Sequence, residues 1–95
     1  MKLILFALLS FFAYRIVSQN QISITNVYDA FGKDHPELIQ AFGFSCLIKY
    51  NSKNILFDAG SNADVFRNNI KALGIDLKSL DAIIVSHTHF DHING

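Results

Sequence analysis

The chain has 95 residues, which allows at most one small domain. Apolar residues make up 51%, enough for a core, although the apolar start inflates that share. A formal net charge of zero gives no reason to expect nucleic acid or an anionic membrane surface as partner, and the single cysteine excludes both an internal disulfide and a Cys-rich zinc site.

Met1-Lys2 opens the chain, and Leu3 to Tyr14 is apolar apart from Ser10. That run is short for a membrane span and suits a signal-peptide core. Residues 1–18 are therefore expected to be a signal peptide cut after Ser18, or an uncleaved N-terminal anchor, with a buried N-terminal helix as a further reading. Cleavage predicts export to a periplasm or the medium; retention predicts a membrane-anchored protein. No stable membrane domain is expected beyond this leader. Residues 19–95 form the expected domain, and nothing in them specifies an oligomeric state.

Gln21 to Tyr28 alternates Ile22 and Ile24 with Ser23 and Thr25, which predicts a strand. Asp29 to Gln40 carries Gly32 and Pro36 and reads as a loop, with His35 as a solvated loop histidine. Ala41 to Tyr50 is the second predicted strand. One face would carry Phe42, Phe44, Cys46, Ile48 and Tyr50, the other Gly43, Ser45, Leu47 and Lys49. Cys46 reads as a small buried hydrophobe rather than a catalytic thiol. Asn51 to Asn54 turns the chain, and Ile55 to Phe57 returns to close a hairpin.

Asp58 ends that strand and Gly60 completes an Asp-x-Gly turn. Two roles are open for Asp58, and they are compatible: bonding to backbone amides of its own turn, or steadying a ligand loop from behind. Asn62 to Leu73 reads as a helix, capped by Asn62, striped by Phe66, Ile70 and Leu73, and ended by Gly74. A short helical turn from Leu77 to Leu80, capped by Asp76, precedes a buried strand over Ala82 to Val85. Three strands, a helix and a strand predict a mixed α/β layer.

The most informative stretch follows: Ser86-His87-Thr88-His89-Phe90-Asp91-His92, which holds three of the four histidines. Imidazole nitrogen and carboxylate oxygen are ligands for Zn²⁺ and similar divalent ions. In an extended segment His87 and His89 leave on the same side and can grip one ion. Asp91 and His92 follow where the chain must turn, and can reach a neighbouring ion. Four ligands do not fill two tetrahedral sites, so others must come from elsewhere.

His87-x-His89-x-Asp91-His92 after an apolar strand resembles the signature of the metallo-β-lactamase superfamily of metallohydrolases. Ile55-Leu56-Phe57-Asp58-Ala59-Gly60 resembles the strand and turn that precede it there. Tyr28-Asp29, Gly43-Phe44-Ser45-Cys46-Leu47-Ile48 and Leu73-Gly74-Ile75-Asp76 resemble the dihydropterin-methyl-ribofuranosylaminobenzene phosphate synthase-like branch. The resemblance implies the N-terminal half of an αββα sandwich and a metal-dependent hydrolase acting on a small-molecule substrate. Two zinc ions are implied, with iron or manganese as alternatives. By resemblance, His87 and His89 would serve the first ion, Asp91 and His92 the second. Asp91 would also orient the attacking water and carry a proton to the leaving group, and Asp58 would steady the loop.

The chain has Asn94-Gly95 where the family usually carries paired glycines. The family's further histidine, bridging aspartate and last histidine would lie beyond Gly95. The expectation is thus an incomplete domain, inactive alone. An iron-dependent dioxygenase or oxidoreductase of the same superfamily, or an inactive remnant or binding module, are the competing readings.

Overall fold

The computed structural model describes residues 20–95; the expected leader lies outside them. Four strands form one sheet in the order β1-β2-β3-β4: β1 Ile22–Asp29, β2 Phe44–Tyr50, β3 Lys53–Phe57 and β4 Ala82–Ile84. β1, β2 and β3 are antiparallel neighbours, and β4 joins β3 in parallel. Helix α1, Ala63–Ala72, and a 3-10 turn, Leu77–Ser79, make the crossover between β3 and β4. Helix α2, Phe90–Ile93, follows β4 after an irregular segment. The fold is therefore mixed α/β, as the element pattern predicted. Among the described residues no helix is long and apolar enough to cross a membrane.

The caps on α1 are those the sequence specified. Asn62 accepts hydrogen bonds from the N–H groups of Asp64 and Val65, satisfying two donors that a helix start leaves free. At the other end Gly74 adopts φ 66. The Ile75 N–H then reaches the Ile70 carbonyl and the Gly74 N–H that of Lys71, the double closure of a Schellman motif. Asp76 likewise caps the 3-10 turn through the Lys78 N–H.

Pairing of Thr25 with Leu47 and of Leu47 with Leu56 puts these residues on one sheet face. Phe66 and Ile70 of α1 pack there with Val27, Tyr28, Leu47 and Leu56. Tyr28 reaches that core through an irregularity in β1 between Asn26 and Tyr28. The opposite face carries Ile22, Ile24, Ile48 and Tyr50, and Ile24 is 69% exposed.

β3 starts at Lys53, inside the expected turn, and two other elements depart further from expectation. β2 starts at Phe44, not Ala41, because Gly43 takes φ 131 and breaks the extended run. β4 is not buried: Ile83 is 62% exposed. It lies at the sheet edge, with β3 on one side and neither face covered by the described residues.

Candidate metal centre

β3 and β4 run in parallel, so their C-terminal ends lie side by side. That brings Asp58, just after β3, beside the histidine segment that follows β4. Asp58 sits in the left-handed region at φ 55, a conformation that Asp and Asn tolerate better than most residues. Its side chain is almost fully buried.

Three donors converge on the Asp58 carboxylate. The Ser86 N–H donates to Oδ1 at 2.7 Å, the Ser86 hydroxyl to Oδ2 at 2.6 Å, and His92 Nδ1 lies 2.7 Å from Oδ2. Burial works to raise the Asp58 pKa, but the bonds from Ser86 and His92 outweigh it and hold the carboxyl below its usual value. Asp58 is thus an anion anchored under the loop.

This anchoring bears on the histidine tautomers. A carboxylate accepts only, so the bond at His92 puts a proton on Nδ1 and turns Nε2 toward Asp91. The Ser86 hydroxyl gives its hydrogen to Asp58, so its 2.8 Å bond to His87 Nδ1 is one it accepts. His87 Nδ1 thus carries a proton as well. One carboxylate thus orients two imidazoles, one directly and one through a serine. The sequence placed Asp58 but gave Ser86 no role. The signal that was available is its position next to His87 at the end of an apolar strand.

The ligand atoms of His87, Asp91 and His92 lie within 4.8 Å of one another. The rings of His87 and His92 are 4.1 Å apart, and His92 Nε2 is 3.2 Å from Asp91 Oδ2. Asp91 and His92 share the first turn of α2, which carries both toward His87. His89 stands outside this group. Its ring centroid is 4.7 Å from that of His87, and it occupies the N-cap of α2 rather than an extended strand. The arrangement therefore brings Asp91 and His92 to His87, while the His89 ring stays beside that of His87 as the strand spacing suggested. His35 is remote in function: its Nδ1 accepts the Glu37 N–H in the exposed β1–β2 loop.

The donor set suits a divalent cation. Ligand atoms around a tetrahedral ion stand roughly 3.4 Å apart, so small side-chain rotations would bring the three atoms into range. Two imidazoles and one carboxylate favour Zn²⁺, Fe²⁺ or Mn²⁺ over a cation that prefers all-oxygen sites.

Comparison with known proteins gives the family. The model of the metallo-beta-lactamase superfamily matches residues 39–95. The chain belongs to that superfamily. It is 47% identical over 57 residues to the 7,8-dihydropterin-6-methyl-4-(beta-D-ribofuranosyl)-aminobenzene-5'-phosphate synthase of Methanocaldococcus jannaschii, covering 56% of this chain and 19% of that protein. An uncharacterised protein of the same organism is 45% identical over 53 residues, covering 56% of this chain and 20% of its own length. Ribonuclease Z of Agathobacter rectalis is 40% identical over 48 residues, half of this chain and 15% of the enzyme. The chain thus spans about a fifth of the length of the curated relatives it matches. A crystal structure of a Thermotoga maritima protein of metallo-beta-lactamase type superposes with a TM-score of 0.53 at 20% identity, covering 75% of this chain and 36% of that one, a likeness of fold.

Proposed function

We propose that this chain supplies the first ligands of a metal-dependent hydrolase, with zinc as the metal and a dinuclear centre in the whole protein. The observation that carries the reading is the convergence of His87, Asp91 and His92 on one point above a buried carboxylate. His87, Asp91 and His92 would hold an ion, and His89, beside His87, would join when a second ion or a rotation brings it in. When bound, such ions supply Lewis acidity, which makes water acidic enough to attack near neutral pH and polarises a substrate oxygen.

The chain's own residues have three tasks. Asp58 and Ser86 hold the Nδ1 sides of His92 and His87, so that Nε2 of each ring would be the atom offered to an ion. Asp91, half-buried at the start of α2, would orient such a water and could take up its proton and pass it to the leaving group. Burial of Asp58 beneath the loop keeps solvent from competing for the same hydrogen bonds.

Carbonyl and phosphoryl centres of small molecules both fit this chemistry, and the names of two relatives, a phosphate synthase and a ribonuclease, point to phosphorus-containing substrates. An iron centre serving oxidation is the second reading, because imidazole and carboxylate accept either metal. Elemental analysis of the freshly purified whole protein separates the two. Zinc, with ester or phosphodiester hydrolysis lost in His87→Ala, supports the proposal. Iron with a visible absorption band overturns it in favour of the second.

A further inference from the structure

Gly43 is neither a ligand nor a neighbour of one in sequence, yet it lies where three segments meet. A Cβ built on it would come 2.5 Å from the Asp91 carbonyl oxygen, 3.0 Å from the Ser61 nitrogen and 3.2 Å from the Gly60 Cα. All three are backbone atoms, which cannot swing aside as a side chain can. The same junction is sewn by backbone hydrogen bonds. The Ala59 N–H donates to the His92 carbonyl at 2.7 Å, the Asn94 N–H to the Gly60 carbonyl at 3.0 Å, and the Gly60 N–H to the Phe44 carbonyl at 3.0 Å. The entry to β2, the turn after β3 and helix α2 therefore form one tight crossing.

We propose that Gly43 is a positioning residue for the metal ligands: the space left by its missing side chain lets α2 seat against the sheet, and so sets Asp91 and His92 against His87. The proposal rests on the metal-site reading above. It assigns Gly43 a task separate from its backbone conformation at φ 131. Gly74 provides the comparison, since it also has positive φ, 66, but has nothing within 4 Å of a built Cβ. Alanine meets a backbone penalty at both positions, larger at φ 131 than at φ 66, and only at Gly43 does it also meet the ligand helix, so the local exchange pattern and not the size of the loss carries the comparison.

The test compares Gly43→Ala and Gly74→Ala with the unsubstituted chain by amide hydrogen exchange without metal, and by Zn²⁺ titration. In Gly43→Ala the Ala59 and Asn94 amides should exchange at least roughly tenfold faster, and Zn²⁺ affinity should fall about tenfold or more, the range seen when support of a ligand is lost. The amides of α1 should keep their relative protection, and Gly74→Ala should change neither readout locally. Unchanged exchange at Ala59 and Asn94 in Gly43→Ala overturns the proposal. So does faster exchange with unchanged Zn²⁺ affinity, which would separate the crossing from the ligands. Loss of protection throughout Gly43→Ala also overturns it, because Gly43 would then be required by the whole fold. Absence of Zn²⁺ binding by the unsubstituted chain would sink the metal-site reading, while the exchange data still decide the role of Gly43 in seating α2.

Discussion

At the scale of single residues, Asp58 does the most with the least exposure. Replacing it by alanine would strand the Ser86 N–H and His92 Nδ1 under the loop, a loss on the order of 3 kcal/mol. Asp58→Asn keeps the shape and tolerates φ 55, but removes the anion and one acceptor oxygen. We expect it to fold and to bind Zn²⁺ roughly 10- to 100-fold more weakly. Ser86→Ala should weaken Zn²⁺ through His87 by a smaller factor, about tenfold. Calorimetric titration measures both. The same carboxylate predicts a pH dependence. Its folded pKa is depressed, so the unfolded chain binds the proton more readily. The stability it gives is full above the unfolded value of about 4 and is lost as pH falls through the lower folded value. Thermal melts of the metal-free chain should lose stability over that acid range, and Asp58→Asn should flatten that limb. Identical acid limbs would remove Asp58 from the account. Cys46 gives a simpler check. Burial, then the nearby Asp58 charge, pushes its thiol up, so it should resist alkylation at neutral pH and react once the chain is unfolded.

The legibility of these residues differs for physical reasons. The clustering of His87, Asp91 and His92 was readable because few structural uses pack imidazoles and a carboxylate so closely in sequence. Asp58 was readable through its Asp-x-Gly turn. Ser86 was not, because a serine after a strand has many ordinary uses. Gly43 was read as part of a strand face and of a family-like motif but given no positioning role, because the contact it permits joins segments far apart in the chain.

Among the elements, α1 is the clearest case of sequence specifying structure, since cap, apolar stripe and glycine stop all fall where expected. One residue on its buried side breaks the pattern. Asn69 is almost fully buried and donates to the carbonyls of Val27 and Ile39 while accepting the Ile39 N–H. It ties the helix to β1 and to the end of the β1–β2 loop, which then leads into Gly43. A stripe drawn from apolar residues alone passes over such a clamp. Asn69→Ala should leave three backbone groups without a protein partner and cost about 2–3 kcal/mol, read by denaturant midpoint. Asn62→Ala, losing the helix cap, should cost about 1 kcal/mol. If Asn69→Ala cost no more than Asn62→Ala, the clamp would be dispensable. The strand faces were read correctly as sets. The set that packs on α1 is the one with Ser45 and Leu47, whose small and medium side chains let the helix approach; the bulky aromatic set faces away.

For the molecule as a whole, one sheet face is packed and the other is apolar and uncovered by the described residues. Ile22 is 65% exposed, Ile24 69% and Tyr50 42%. A face of this kind promotes association between sheets. Ile24→Lys should lower self-association of the chain without reducing its melting temperature, as seen by sedimentation and calorimetry together. Of the overall architecture, the mixed sheet and the placement of ligands beyond a C-terminal strand end were legible, because parallel pairing of β3 and β4 follows from the helix between them. The exposure of β4 was not, since an apolar run signals burial without saying which segment covers it.

The central claim is that His87, Asp91 and His92 meet to hold a divalent cation. Equilibrium dialysis against buffered Zn²⁺, run on the chain and on His87→Ala, Asp91→Asn and His92→Ala, tests it directly. We expect stoichiometric binding by the chain and a loss of roughly tenfold or more in affinity with each substitution. Zn²⁺ binding that is absent, or that survives all three substitutions unchanged, would contradict it.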